Sequence, residues 1–231
     1  MADEAVIRFR NNGPQFLAGL TPPAAKSVVS AARQRRYLAN SVIVNQGHPA
    51  EHFFLLVSGR ARYFHLSGDG RKVNLRWLAP GDIFSPAALL SRPSEYLLST
   101  EAVRDCRMLV WNRAAIRNLT KQFPQLNDNM LLITLEYLAF YRDAYTSLTC
   151  DSGPQRVAHV LANLAGRVGH RVAGGTEFDL FNEELANEAN VNPFTVSRLL
   201  SDWQRKGILS KRRGKVLLRS PQRLFREKGL A

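Results

Sequence analysis

Cys106 and Cys150 are the two cysteines in this chain of 231 residues. They form no metal-type pair, and two thiols exclude a disulfide framework, so the expectation is a cytoplasmic protein with reduced cysteines. Acidic residues are also scarce: 19 Asp+Glu stand against 32 Lys+Arg, a formal charge of +13. No run approaches the roughly 18 consecutive apolar residues of a membrane span, and Met1–Arg10 lacks the apolar centre of a signal peptide. His48 and His52 flank a turn and His65 sits in a strand-like run, without the His-x-His that barrel metalloenzymes use. P-loop, nucleophile–base and paired-carboxylate patterns are missing as well. These absences argue against an enzyme, a membrane protein and a resident metal or cofactor.

What is present is a core-forming composition, 45% hydrophobic, with its charge concentrated at one end. From Arg198 onward there are 11 Lys/Arg against Asp202 and Glu227, which places +9 of the +13 in the last 34 residues. Such an excess suits a polyanion, although charge runs are often just solvated surface.

Residues 35–112 read as short strands. Turn glycines at 47, 59, 70 and 81 are spaced 12, 11 and 11 apart. Between them lie Phe53–Val57, Ala61–Leu66 and Val73–Leu78, the last alternating apolar and polar. Gly68-Asp69-Gly70 is hairpin chemistry, and the regular spacing predicts a small barrel or jelly roll. Upstream, Gln15–Arg35 reads as a helical lead-in broken at Thr21-Pro22-Pro23. The arginines at 60, 62, 71, 76 and 92 read as solvated charges that leave room for an acidic effector. Cys106 reads as inert core.

A long helix is predicted from about Pro124 to Leu148. Leu126, Met130, Ile133, Tyr137, Phe140 and Ala144 step by 4, 3, 4, 3 and 4, which is read as a homodimer seam. A helix packed on its own domain would show the same stripe. Thr149–Pro154 is turn-rich and marks the boundary, giving domains at 1–123 and 149–231 around a helix at 124–148. Cys150 in that hinge reads as an incidental thiol rather than a redox switch.

Beyond it, Val157, Val160, Leu161 and Leu164 face inward on a helix. A Gly-rich loop (166–175) and an apolar run (178–181) follow, and then two helices. Asn182 can cap the first, and Asn190 suits a tight left-handed turn. Asn192 then caps the second, with Pro193 at its first position. On that helix Val196, Leu199, Leu200 and Trp203 must face the core, leaving Phe194, Thr195, Ser197, Arg198 and Ser201 outside. This is helix-turn-helix geometry. Two strands around the basic turn at Arg213-Gly214-Lys215 then make a wing, where phosphates would be neutralised by Arg213 and Lys215.

With Phe53–Arg60, Pro80-Gly81-Asp82, the long helix, Thr195–Leu200, Gly207–Leu209 and Arg213–Val216 all in order, nearly the whole chain resembles the CRP/FNR superfamily of transcription regulators. The resemblance implies an α+β fold: an N-terminal double-stranded β-helix (jelly-roll) barrel that senses an effector, a long dimerisation helix and a C-terminal winged helix-turn-helix. It also implies double-stranded DNA, a second copy of the chain and RNA polymerase as partners.

The departures are informative. Members that bind cyclic AMP carry Gly-Glu-Leu after the Gly-Asp turn and Arg-Ser or Arg-Thr further on. Here those stretches are Ser85-Pro86-Ala87 and Tyr96–Thr100, and a buried phosphate without a cation is costly. Cyclic AMP is therefore not expected. Nor is an iron–sulfur cluster, which needs more thiolates than two cysteines supply. Many relatives show Ser-Arg-Glu-Thr-Val where this chain has Asn192–Val196. Phe194 thus replaces a glutamate suited to cytosine and itself suits a thymine methyl, while Arg198 keeps the position expected to reach guanine. Two other readings compete: a ligand-binding barrel whose winged domain meets RNA or protein, and a metal-dependent barrel enzyme.

Overall fold

The run Phe53-Phe54-Leu55-Leu56 is apolar on both faces because its strand lies between two cores. A computed structural model describes residues 13–212 and 214–226, so Met1–Arg10, Arg213, Glu227 and Lys228 lie outside the described residues. The chain divides into two compact units that separate between Leu138 and Ala139.

The first unit begins with a 3-10 turn at Gln15–Leu17 and α1 (Pro22–Ser30). Thr21-Pro22-Pro23 starts this helix rather than breaking one. The Thr21 hydroxyl accepts from Ala24 N–H, and the prolines occupy positions whose N–H groups are unpaired in any helix. The predicted helical lead-in is also too long, because Arg33–Arg35 already belongs to a strand.

Eight strands follow: β1 (Arg33–Tyr37), β2 (Val42–Val44), β3 (His52–Ser58), β4 (Ala61–Leu66), β5 (Lys72–Leu78), β6 (Ile83–Phe84), β7 (Ser99–Ala102) and β8 (Cys106–Asn112). They form two antiparallel sheets, ordered β1-β8-β3-β6 and β2-β7-β4-β5, which is jelly-roll topology. Inside the barrel Phe54, Leu56, Tyr63, Leu78, Phe84 and Met108 interlock. On the outer face of the first sheet Phe53, Leu55, Leu109 and Trp111 pack against Phe16, Val28 and Ile116. Trp111 Nε1 donates to Val28 O at 2.8 Å. Gly59, at φ +99°, admits no side chain, since a Cβ there would sit 2.2 Å from Asp105 O. Cys106 is buried core, and burial pushes its thiol up to about 11.

α2 (Arg113–Gln122), which sequence patterning does not anticipate, is capped by Asn112 Oδ1 accepting from Ala115 N–H at 2.7 Å. α3 (Gln125–Cys150) is the long helix. Its predicted intermolecular stripe is largely covered by its own domain. Leu126 and Ile133 are buried against the first sheet's outer core, with Met130 and Tyr137 half-buried beside them. Buried Asn129 donates to Phe16 O and Ala18 O at 2.9 and 2.8 Å, tying the helix to the chain's start. Leu126 and Ile133 are therefore corrected from dimer seam to internal core, while Met130 and Tyr137 pack partly against that core. Phe140 and Ala144 lie in the second unit and are half-buried there.

The second unit contains the rest of α3, α4 (Gly153–Val168), β9 (His170–Val172), β10 (Gly175–Asp179), α5 (Asn182–Glu188), α6 (Pro193–Arg205), β11 (Leu209–Arg212), β12 (Lys215–Leu218) and α7 (Pro221–Arg226). Val157, Leu161 and Leu164 of α4 are buried as expected, with Val160 half-buried. The strands form one antiparallel sheet, β11-β12-β10-β9. The predicted Gly-rich loop is corrected here. Gly166 continues α4, and the β9–β10 hairpin occupies the remainder. Gly175 is required because a Cβ there would lie 2.3 Å from Leu218 O on the neighbouring strand.

Several arginines expected to be solvated are not. Arg60 and Arg76 are buried, the latter with its Cζ 4.1 Å from the centre of the Tyr137 ring. Arg60 and Arg62 both lie against Trp77, at 5.5 and 5.7 Å. Arg62 also pairs, together with Lys72, with Glu101. Burial alone would raise the Glu101 pKa, but the bonds from Lys72 and Arg62 overcome it and hold the carboxyl below its ordinary value. A carboxyl with a depressed folded pKa stabilises the fold above its unfolded pKa and loses that contribution as pH falls through the folded value. Glu101→Gln should lower stability at neutral pH by about 1–3 kcal/mol. Urea unfolding should show the deficit shrinking below about pH 4. A deficit that stays constant to pH 3 would show that the ion cluster does not supply this stability.

Candidate nucleic-acid interface

The helix pair is built as its residues dictate. α5 is entered through Glu184, whose Oε2 accepts from Phe181 N–H at 3.2 Å. Phe181 is thus the residue preceding the helix, and the expected Asn182 cap is corrected. Asn182 Oδ1 instead accepts from Lys211 Nζ at 2.8 Å. Asn190 takes the left-handed conformation, φ 48°, in the turn that follows. Asn192 Oδ1 accepts from Phe194 N–H at 2.8 Å and opens α6, with Pro193 in its first turn. Asn192 therefore acts as the cap; its amide NH2 is left as the group able to reach a ligand.

α6 packs against α5 and β11 and buries Val196, Leu199, Leu200 and Trp203. The opposite face carries Phe194, Ser197, Arg198 and Ser201, all exposed, with Thr195 half-buried. Ser201 Oγ donates back to Ser197 O at 2.9 Å. Arg198 makes no hydrogen bond or ion pair among the described residues, so its guanidinium is available to an external acceptor. Phe194 is 85% exposed. A bare phenyl ring at the start of a helix, beside an unengaged arginine, costs solvation in the isolated protein and is suited to a groove with apolar and acceptor groups side by side.

The wing is fixed to this pair. Leu180 N–H donates to Gly214 O at 3.0 Å, and Lys211 N–H to Gln204 Oε1 at 3.2 Å. With the Lys211–Asn182 bond, β11 is held to both helices of the motif. On the outward face of the wing sheet, Arg212, Lys215 and Arg219 surround a shallow depression of about 270 Å³ together with Glu177. Lys215 Nζ lies 3.0 Å from Glu177 Oε1, so the cation expected to meet phosphate is already partly neutralised. The side chains of Arg212 and Arg219 are exposed and have no partner among the described residues. Both fall within the basic run from Arg198 onward. Strand parity was the signal available, since Arg212 stands opposite Lys215 and Arg219 lies four residues further on.

In the barrel, Ser85 adopts φ 65°, a conformation that suits glycine, and starts the 3-10 turn Pro86–Leu89. No carboxylate lies between Ser85 and Leu90. Tyr96 is buried, and its hydroxyl accepts from His52 N–H at 3.1 Å. Among the described residues, no group of three or more His, Cys, Asp or Glu is arranged to hold a metal ion, and no helix is long and apolar enough to cross a membrane.

Two families match the chain: the cyclic nucleotide-binding domain over residues 34–123 and the Crp-like helix-turn-helix domain over residues 155–227. The chain is 23% identical over 210 residues to the CRP-like cAMP-activated global transcriptional regulator of Mycobacterium tuberculosis, covering 90% of this chain and 93% of that one. It is 28% identical over 189 residues to the nitrogen fixation regulation protein FixK of Azorhizobium caulinodans, covering 80% and 75%. The solved structure of FixK2 from Bradyrhizobium japonicum superposes with a TM-score of 0.74 at 27% identity, over 84% of this chain and 96% of that one. Barrel, long helix and winged helix-turn-helix occur in the same order, and the chain belongs to the CRP/FNR family of DNA-binding transcription regulators.

Proposed function

We propose that the protein works as a cytoplasmic, non-catalytic homodimer on a two-fold symmetric operator, with α6 of each copy in the major groove and RNA polymerase as its downstream partner. The observation that carries this reading is the exposed, unengaged pair Phe194 and Arg198 on a helix whose other face is locked in the core. Arg198 donates two hydrogen bonds to guanine O6 and N7, and Phe194 meets a thymine methyl. Arg212 and Arg219 contact phosphates, joined by Lys215 once DNA competes with Glu177. Arg198→Ala should cost about 1–3 kcal/mol per half-site and relax preference at one symmetric base pair. Arg212→Ala should weaken all sequences alike and flatten the salt dependence. Binding to single-base operator variants at fixed salt separates the two. A uniform loss for Arg198→Ala with altered base preference for Arg212→Ala would reverse the roles.

The homodimer reading rests on a different stripe of α3 from the one predicted. Leu131, Leu135 and Leu138 step by 4 and 3 and are 60%, 52% and 64% exposed, with Leu132 alongside at 54%. Apolar surface arranged in this way on one helix is what a parallel partner helix covers. Changing Leu135 and Leu138 to glutamate should give folded monomers with weak operator binding, read by sedimentation. Ile133→Ala should instead destabilise the barrel by about 2–5 kcal/mol. A wild-type protein that is monomeric at micromolar concentration would overturn the dimer.

The effector is neither cyclic AMP nor an iron–sulfur cluster. The Ser85-Pro86-Ala87 turn offers no carboxylate to a ribose, and Tyr96 stands in the stretch where an arginine would hold the phosphate. Of the two cysteines, Cys106 is buried with a raised pKa. Titration with cyclic AMP should give no heat at micromolar concentrations, and saturable micromolar binding would contradict this.

A further inference from the structure

The buried face of α6 fixes the helix's azimuth, but not the angle at which it leaves the turn before it. That turn runs through Ala189, Asn190 and Val191, with Asn190 left-handed at φ 48°. It rests on the first turn of α4, where a Cβ added to Gly153 would lie 3.2 Å from Val191 Cγ1. One half-buried side chain of α4 spans the contact. Arg156 donates from Nε to Ala189 O at 2.8 Å and from Nη2 to Asn190 O at 3.0 Å. Its Nη1 donates at 2.7 Å to the carbonyl of Asp151, the residue directly after α3. No backbone N–H among the described residues reaches any of these carbonyls, and no carboxylate among them pairs with Arg156.

The guanidinium is planar and rigid, so bonds from all of its nitrogens hold their acceptors at set angles to one another. The carbonyls of Ala189 and Asn190 belong to the peptide planes on either side of the Asn190 Cα. Fixing both planes fixes both backbone dihedrals of that residue. Asn192 follows closely and caps α6, so the direction of the helix depends on the conformation of Asn190. The bond to Asp151 refers that conformation to the end of α3. Without Arg156, the carbonyl of buried Ala189 loses its donor and the turn is free to relax around it.

We propose that Arg156 is a positioning residue for base recognition. It meets no base itself. It holds the entry of α6 at one angle to the end of α3, so that Arg198 and Phe194 of both copies reach their half-sites in register. The role rests on the reading of α6 as the helix that reads bases in a symmetric dimer.

The test uses the full-length protein and three kinds of probe at one salt concentration: the duplex that the wild type enriches from a random-sequence library, its single-base variants, and an unrelated duplex. Arg156→Lys keeps the charge but replaces the planar fork with a single ammonium. It should bind the unrelated duplex within about twofold of wild type, because attraction to phosphates needs no fixed helix angle. On the enriched duplex it should lose at least about tenfold in affinity, and its preference among the single-base variants should flatten. Ratios of affinity do not depend on the fraction of protein that is folded, so a loss of stability alone would leave the wild-type preference unchanged. Arg156→Lys with the wild-type preference profile would overturn the proposal, whatever its melting temperature. A wild type without base preference would overturn the reading of α6 itself, and the role of Arg156 with it.

Discussion

Burial of Val196, Leu199, Leu200 and Trp203 in the winged domain fixes the azimuth of α6, and the interface depends on that constraint. A helix committed on one face has no freedom to choose which residues it offers on the other. Phe194, Ser197 and Arg198 face outward because their neighbours at helical spacing cannot. The wing then inherits its place from the same core. Leu209, Val216 and Leu218 are buried, so strand parity sends Arg212, Lys215 and Arg219 to the opposite face. Hydrogen bonds from Lys211 to Asn182 and Gln204 tie the strand to both helices, so the exposed side chains of α6 and the cations of the wing are held by one local framework.

The long helix obeys the same logic with a different outcome. Two apolar stripes interleave along α3, one through Leu126 and Ile133 and one through Leu131, Leu135 and Leu138. Both step by 3 and 4, so periodicity alone does not say which one the chain covers with its own barrel. The structure shows the first stripe buried beneath Phe16, Leu109 and Trp111 and the second exposed. Asn129, buried in the first stripe and bonded to two carbonyls, is the polar residue that distinguishes them. A buried amide with both partners supplied from within the chain belongs to an internal contact.

Much of the architecture was legible because local chemistry and tertiary need agree. Turn glycines bracketed β3, β4 and β5 closely, and Asn190, Asn192 and Pro193 marked the turn and start of α6 by their backbone preferences. The misreadings lie where one residue type serves two purposes. Thr21-Pro22-Pro23 is a sequence that can stop one helix or start another, and here it starts α1. Glycines at 166 and 175 looked like one loop, although one lies in a helix and the other lets two strands approach. Arginine on a strand is ordinarily solvated, and nothing local shows that Trp77 and Tyr137 will come to lie against Arg60, Arg62 and Arg76. Those contacts join residues from separate strands, or a strand and a distant helix, so only the folded barrel reveals them.

Whether the chain reads duplex DNA through paired copies of α6 is decided by selecting bound duplexes from a random-sequence library at fixed salt. Two half-sites related by a two-fold axis should be enriched, with centres about one helical turn apart. Each should carry a guanine and, beside it, a thymine at the positions facing Arg198 and Phe194. Enriched sequences without an inverted repeat, or no enrichment over the starting pool, would contradict it.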